Sequence, residues 1–443
     1  MPARVREQFS EREQGLLASL TEHGPGFYAL VGLLGAVIAW GFIAYAMQLR
    51  YGLGVTGLRD HFMWGVYITN FVFFIGVSHV GALMSAILRI TGAEWRRSVT
   101  RMAEAITFAS LLMGALMPFV DMGRPDRILN LLLHGRLQSP VLWDILSIST
   151  YLTGSTLFLY VPMIPDIALL RDRFADGPAW RRRLYTILSL GWRGTEAQRH
   201  HLERIMGIMA IIIIPIAISV HTVVSWIFGM TLRAGWNSTV FGPYFVSGAL
   251  FSGAAAVVTA MAAFRWAYHL EEYIEKKHFV YLSYILVTLA LGYTYFLFSE
   301  YLTEGYKMHE PGGALLELML TGRLAPFFWL FSVGGLILPI LLIALPYTRT
   351  IPGITVASLA VVLGMWLKRF LIVVPGLAEP QIASDVTIYW PTMVEVSITV
   401  AAAAAIPLMM LLFFRVFPII SIYEVEESVL GHPQGLGGSA EAE

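Results

Sequence analysis

Apolar residues run in blocks along this chain rather than alternating, and the blocks are long. Ten stretches approach or exceed the roughly 20 residues that a helix needs to cross a hydrocarbon layer. They cover about 26–49, 62–90, 103–120, 140–164, 204–229, 241–268, 279–300, 324–346, 351–374 and 391–417. Several are long enough to tilt or to emerge at one end. No ten-residue segments alternate apolar and polar positions as barrel strands do. The pattern predicts an all-α polytopic membrane protein of about ten transmembrane helices. Counting suggests two four-helix bundles, about 62–229 and 241–374, with flanking helices. Residues 1–25 form a charged segment without an apolar core, unlike a cleavable signal, ahead of a ten-helix domain over 26–417. Residues 418–443 make a tail whose small, polar end is expected to be disordered.

Composition agrees. Hydrophobic residues make up 57% of the chain, charged residues 14%, and the mean hydropathy is +0.67; a soluble domain is about one quarter charged. The formal net charge is zero, which leaves no electrostatic footprint for nucleic acid. The absence of cysteine excludes disulfides, thiolate catalysis and cysteine-held iron–sulfur clusters.

Lysine and arginine collect in alternate connections: "RITGAEWRRSVTR", "RDRFADGPAWRRRLYTILSLGWRGTEAQRHHLER" and "EEYIEKKHF". By the positive-inside rule both termini are expected in the cytoplasm, and "DMGRPDRILNLLLHGRLQSP" on the periplasmic or outer side. The basic connection at 171–204 is expected to hold a surface helix.

Ionisable groups inside spans are costly and point to partners or to water-filled sites. Span two holds Asn70, Ser78 and His79. Asn70 and His79 are nine residues apart, about 900° of rotation, so they face opposite sides of a straight helix. Span three runs from Glu104 to Asp121. Span four sets Asp144, Ser147 and Tyr151 at i, i+3 and i+7, one stripe of a helix. Asp144 is expected either to pair with Arg124 or to face a ligand, and the two are compatible. His221 lies in span five. Lys368 and Arg369 lie in span nine and Glu395 in span ten, an arrangement that suggests a buried ion pair or part of a proton-accessible path. His79 and His221, at comparable depth, raise bis-imidazole haem ligation. There is no Walker loop, dinucleotide fingerprint or zincin helix.

Several stretches together resemble the NrfD/polysulfide-reductase membrane-subunit family, and within it the ten-helix quinol-oxidising subunits of alternative complex III. They are "GVYITNFVFFIGVSHVGALMSAIL", "WRRSVTRMAEAITFASLLMGALMPFVDMGRPDR" and "SPVLWDILSISTYLTGS", then "SVHTVVSWIFGMTLRAGWNSTVFGPYFVSGALFSG" and "WLKRFLIVVPGL". The resemblance implies a quinone pocket near the outer face of the first bundle, in a chain that itself holds no metal or haem. It implies (mena)quinol oxidation in a respiratory or photosynthetic complex, with electrons passed to a periplasmic iron–sulfur subunit. Other partners would be further complex subunits, among them a homologous membrane subunit and a cytochrome c, and lipid. Asp144 matches the acid of the family's Trp-Asp motif, taken to bind the headgroup or accept its proton; Arg124 matches the Gly-Arg-Pro turn. At Asp121 the nearest quinol-oxidising branch usually has His, and other branches have Asp. The expected quinone contacts are Asp144, Asp121, Arg124, Asn70, Ser147 and Tyr151, with Asp144 and Asp121 catalytic. A proton path is expected among His79, Glu104, His221, Lys368, Arg369 and Glu395. A secondary transporter and a haem-b membrane anchor are the alternative readings; the one favours broken helices at mid-membrane, and the other predicts a haem spectrum.

Overall fold

The computed structural model describes Leu20 and residues 24–307, 309–378 and 389–424. Most of the N-terminal segment and the end of the expected tail lie outside these residues. Among the described residues, ten helices are long and apolar enough to span a membrane, and no strand is present. They are α1 (Pro25–Tyr51), α2 (Val66–Ile90), α3 (Thr100–Asp121), α4 (Pro140–Arg173), α5 (Glu196–Gly229), α6 (Phe241–Ala267), α7 (Lys276–Lys307), α8 (Ala325–Ala344), α9 (Ile351–Ala378) and α10 (Met393–Val416).

Helices α2 to α5 pack in a ring, and α6 to α9 in a second ring. The two bundles meet where α2 touches α6 and α9 and where α5 touches α6. Helix α1 lies against α10 at the edge, and α10 leans on α2 and α3. The central role of α2 shows in its burial: from Val66 to Ala86 every residue is buried. Small residues permit this closeness. A Cβ added at Gly81 would collide with the Ala103 carbonyl of α3, as expected of helices whose backbones pack through small side chains in lipid.

Two local rules close the elements. Helix α3 stops at Asp121, and Gly123 then takes φ +65, a left-handed conformation that glycine adopts without a Cβ penalty. Pro125 follows and opens a short 3-10 turn over Pro125–Arg127. Helix α10 starts on a reciprocal cap in which Thr392 accepts from the Glu395 amide and Glu395 accepts from the Thr392 amide.

The expected surface helix in the 171–204 connection is present as Ala179–Leu188. Its Arg181 and Tyr185 side chains donate to the Arg415 and Val416 carbonyls at 2.8 and 2.7 Å, docking it on the end of α10.

The chain beyond α10 folds back onto the same end of the molecule. Asp166 accepts from Arg101 at 2.5 Å, from the Tyr423 amide at 2.8 Å and from Ser421 at 3.2 Å. Glu424 takes Arg89 at 2.7 Å and Arg96 at 3.1 Å. Burial opposes the Glu424 charge, but the Arg96, Arg89 and Arg101 guanidiniums outweigh it and hold the carboxyl below the usual glutamate range. A depressed folded-state value adds stability that is present above the unfolded value, about 4.3, and is lost as pH falls through the folded one. Glu424→Gln should therefore cost about 2 kcal/mol at neutral pH, read as a lower thermal midpoint in detergent. It should also flatten the acid limb of the stability profile.

Candidate functional site

The spans alternate in direction, so α3, α5, α7 and α9 finish at one end of the molecule and α2, α4, α6, α8 and α10 start there. Asp121 is the last residue of α3, and Asp144 sits one turn inside α4. Asp144 is 5% exposed. One carboxylate oxygen of each acid, Oδ1, is buried without a hydrogen-bond partner among the described residues. A buried acceptor left empty costs about 1–3 kcal/mol, so two at one end of one bundle call for an occupant, whether water or ligand.

The surrounding polar groups at this end are satisfied. Tyr67 donates to Gln48 Oε1 at 2.6 Å, and Gln48 Nε2 donates to the Val120 carbonyl at 2.7 Å, tying α1 and α2 to the residue before Asp121. Trp64 stacks on Trp236 at 5.6 Å, and Trp236 Nε1 donates to the Ile372 carbonyl at 2.7 Å, closing the same end across the two bundles. Gln48, Tyr67 and Trp236 escaped the sequence reading. A buried Gln near the end of a span and an indole beside a Gly turn are the only signals that pointed to them.

Several expectations are corrected. Arg124 does not pair with Asp144; it forms a bidentate pair with Asp126 at 3.0 and 2.9 Å, and both side chains are largely exposed. Two residues apart on a turn, they meet without any tertiary contact. Asn70 is occupied at both ends of its amide: it donates to Thr399 at 2.9 Å and accepts from Trp366 at 2.8 Å, so it fastens α2 to α9 and α10. Ser147 is only half buried and donates to the Asp144 carbonyl of its own helix at 2.9 Å. Glu395 does not pair with Lys368 or Arg369. Its oxygens accept from Tyr389 at 2.5 Å, from the Gly57 amide at 2.7 Å and from the Thr392 amide at 2.8 Å. The Thr-x-x-Glu spacing of a capping box was the sequence signal for that role. Lys368 instead donates to Tyr301 at 2.8 Å, and the Arg369 guanidinium lies 4.8 Å from the Phe245 ring.

The interior of the first bundle is polar at its middle. His79 Nδ1 donates to the Ile75 carbonyl at 2.5 Å. Its ring lies 4.9 Å from that of Tyr151, which in turn donates to the Ser78 carbonyl at 2.9 Å. The His79 and His221 rings are edge to face, 4.8 Å between centroids. Rings in direct contact leave no space for a macrocycle between them, so this pair does not fit a haem. His79 Nε2, both His221 nitrogens, and the hydroxyls of Thr107, Ser110 and Ser155 are buried without partners among the described residues. Toward the opposite end, Glu104 accepts from Ser85 at 2.5 Å and is 6% exposed. Asp144, Tyr151 and Ser155 share the buried stripe of α4. Unpartnered polar atoms thus occur on all four helices of this bundle, between Asp144 at one end and Glu104 at the other. Buried waters bridge groups of this kind. Elsewhere, an apolar groove of about 550 Å³ is lined by Phe73, Phe74, Ile106, Phe264, Met410 and neighbours. Neither Asp121 nor Asp144 lines it.

The family model for polysulphide reductase, NrfD, matches residues 54–381. The chain is 27% identical over 427 residues to a putative dimethyl sulfoxide reductase membrane subunit of Halobacterium salinarum, covering 91% of this chain and 93% of that one. It is 23% identical over 425 residues to an Hdr-like menaquinol oxidoreductase integral membrane subunit of Archaeoglobus fulgidus, covering 91% and 96%. It is 24% identical over 399 residues to the integral membrane subunit of menaquinone reductase from Nitratidesulfovibrio vulgaris, covering 86% and 88%.

The Asn70 amide is committed to helix packing, which makes its substitution a test of where the site lies. Asn70→Ala strands the Trp366 indole and should cost about 1–3 kcal/mol in detergent unfolding while leaving quinone affinity unchanged. Weakened quinone binding at unchanged stability would return Asn70 to the site.

Proposed function

The chain belongs to the polysulphide reductase NrfD family, and from that premise we propose that it is the quinone-site membrane subunit of a respiratory or photosynthetic oxidoreductase. In this reading the substrate is menaquinol. It is oxidised at the Asp121–Asp144 end of the first bundle. The single observation that carries the reading is the pair of buried, unpartnered carboxylate oxygens at that end. The names of the Archaeoglobus and Nitratidesulfovibrio relatives supply the substrate class, and the motif resemblance to alternative complex III supplies the direction.

Quinol oxidation releases two electrons and two protons. Each hydroxyl proton needs a basic atom within hydrogen-bond reach as its electron leaves. Asp144 Oδ1 is the first acceptor in this proposal, and Asp121 Oδ1 the second. Tyr67 and Gln48 hold the end of α3 so that Asp121 stays in place. Arg124, paired with Asp126 at the surface, acts on the electrostatics of the entrance and not as a headgroup ligand. The electrons leave to an iron–sulfur subunit docked at this end, where Leu129, Leu132, Leu133 and Leu137 are exposed around the short helix Ile128–Leu133. The isoprenoid tail lies against apolar helix surface.

In this reading the end lies outside the cytoplasmic membrane of a bacterium and both termini lie inside, supported by the lysines and arginines of the alternate connections. Protons then move between Glu104 and Asp144 through waters held by Thr107, His79, His221, Tyr151 and Ser155. Lys368, Arg369 and Glu395 fall outside this path, since they belong to α9 and α10 and not to the first bundle.

Asp144→Asn keeps the shape of the side chain and removes the base. It should lower quinol-dependent turnover of the assembled complex by about 10²–10⁴ without loss of assembly. Unchanged turnover would remove Asp144 from the mechanism. Glu104→Gln should reduce the protons moved per electron in liposomes and spare quinol oxidation itself. An unchanged ratio would remove Glu104 from the path.

A further inference from the structure

The chain has four lysines, and three of them, Lys276, Lys277 and Lys307, sit at the ends of α7. The fourth, Lys368, is inside α9 and 2% exposed. The other residues of the lysine and arginine total of 30 are arginines. An arginine keeps its proton in a protein, whereas a lysine ammonium is able to give one up. The choice of lysine at this buried position therefore has chemical content.

Lys368 has one hydrogen bond among the described residues, its donation to Tyr301 at 2.8 Å. An ammonium carries three donors, so two remain. Tyr301, Phe331 and Tyr244 surround the nitrogen at 5.0, 5.7 and 5.8 Å to their ring centroids. Beside it is a cavity of about 40 Å³ whose polar lining is Tyr244, Glu300, Tyr301, Glu304 and Lys368. At roughly 10–15 Å³ for each water centre, that is room for about three waters. The polar groups present give each water the two to four partners it needs.

The cavity also has a direction. Glu300 and Glu304 are one turn apart on α7, and both are partly exposed. Glu300 accepts from Ser238 at 2.7 Å in the loop between α5 and α6. Polar groups thus lead from the buried ammonium to the end of α7 at Lys307, the end of the molecule where Asp121 also lies. The groups that face Lys368 are Tyr244 from α6, Glu300, Tyr301 and Glu304 from α7, and Arg369 on its own helix. Helix α8 presents the apolar Phe331.

We propose that Lys368, with Glu300, Glu304 and the intervening waters, is a proton-exchange site of the second bundle, open to the aqueous phase at the Asp121 end. The Lys368 ammonium passes a proton to a cavity water, which hands it to the Glu300 or Glu304 carboxylate and so to bulk. The neutral amine takes a proton back by the same route. No electrons move in this step, and it uses none of the carboxylates assigned to the quinol.

Reductive methylation of the intact purified complex, with formaldehyde and a borane reductant over a range of pH, tests this directly. Peptide mass spectrometry reads all four lysines. Methylation needs both access and a free amine, so Lys368 should react at a rate within about tenfold of Lys307 and rise with pH along a one-proton titration curve. Glu304→Leu, which puts an apolar group in the route, should slow Lys368 at least about tenfold and leave Lys276 unchanged. A Lys368 that stays unmodified while the other three are fully dimethylated overturns the proposal. Equal Lys368 rates in the wild type and Glu304→Leu overturn the route. The readout needs no turnover, so failure of the quinol-site reading is told apart from failure of this one.

Discussion

A membrane interior offers no water to an unpaired polar group, and this constraint organises the whole molecule. Several of the larger buried polar side chains here join helices. Asn70 joins α2 to α9 and α10, Gln48 and Tyr67 join α1, α2 and α3, and Trp236 joins the loop after α5 to α9. Glu395 holds the start of α10 to the loop before α2. Against that rule stand the exceptions. Asp121, Asp144, His79, His221, Thr107, Ser110 and Ser155 all carry buried atoms without partners among the described residues, and all belong to the first bundle. The first bundle carries such atoms on each of its four helices; outside it they occur on Arg97, Tyr268, Ser332, Ser358 and Arg369.

The two bundles differ in chemistry as well as in position. The first presents acids and imidazoles; the second presents Lys368 and Arg369 among tyrosines and phenylalanines. The buried length of α2 separates them and touches both. Helix α5 makes a second seam by its contact with α6.

What the sequence made legible follows from what a helix encodes. Span number and length came from apolar block length, and the opposite facing of Asn70 and His79 came from residue spacing alone. Their partners bear this out: Asn70 meets Trp366 and Thr399, whereas His79 meets Tyr151 and His221. Depth along the membrane normal is thus readable. The rotation of one helix against another is not, because it depends on packing at every crossing. The ion pairs expected between Arg124 and Asp144, and between Lys368 or Arg369 and Glu395, failed for that reason. The Glu395 role was written locally, in Thr392-x-x-Glu395, and a capping reading would have found it. Haem ligation failed on distance, which equal depth does not determine.

The central claim is that the headgroup site lies between the end of α3 and the start of α4, at Asp121 and Asp144. Photo-crosslinking of the assembled complex with a photoreactive menaquinone analogue, followed by peptide mapping, measures this most directly. The account predicts adducts in the peptides around Asp121 and Asp144, competed away by unlabelled menaquinone. Competable adducts confined to α6 through α9 would contradict it.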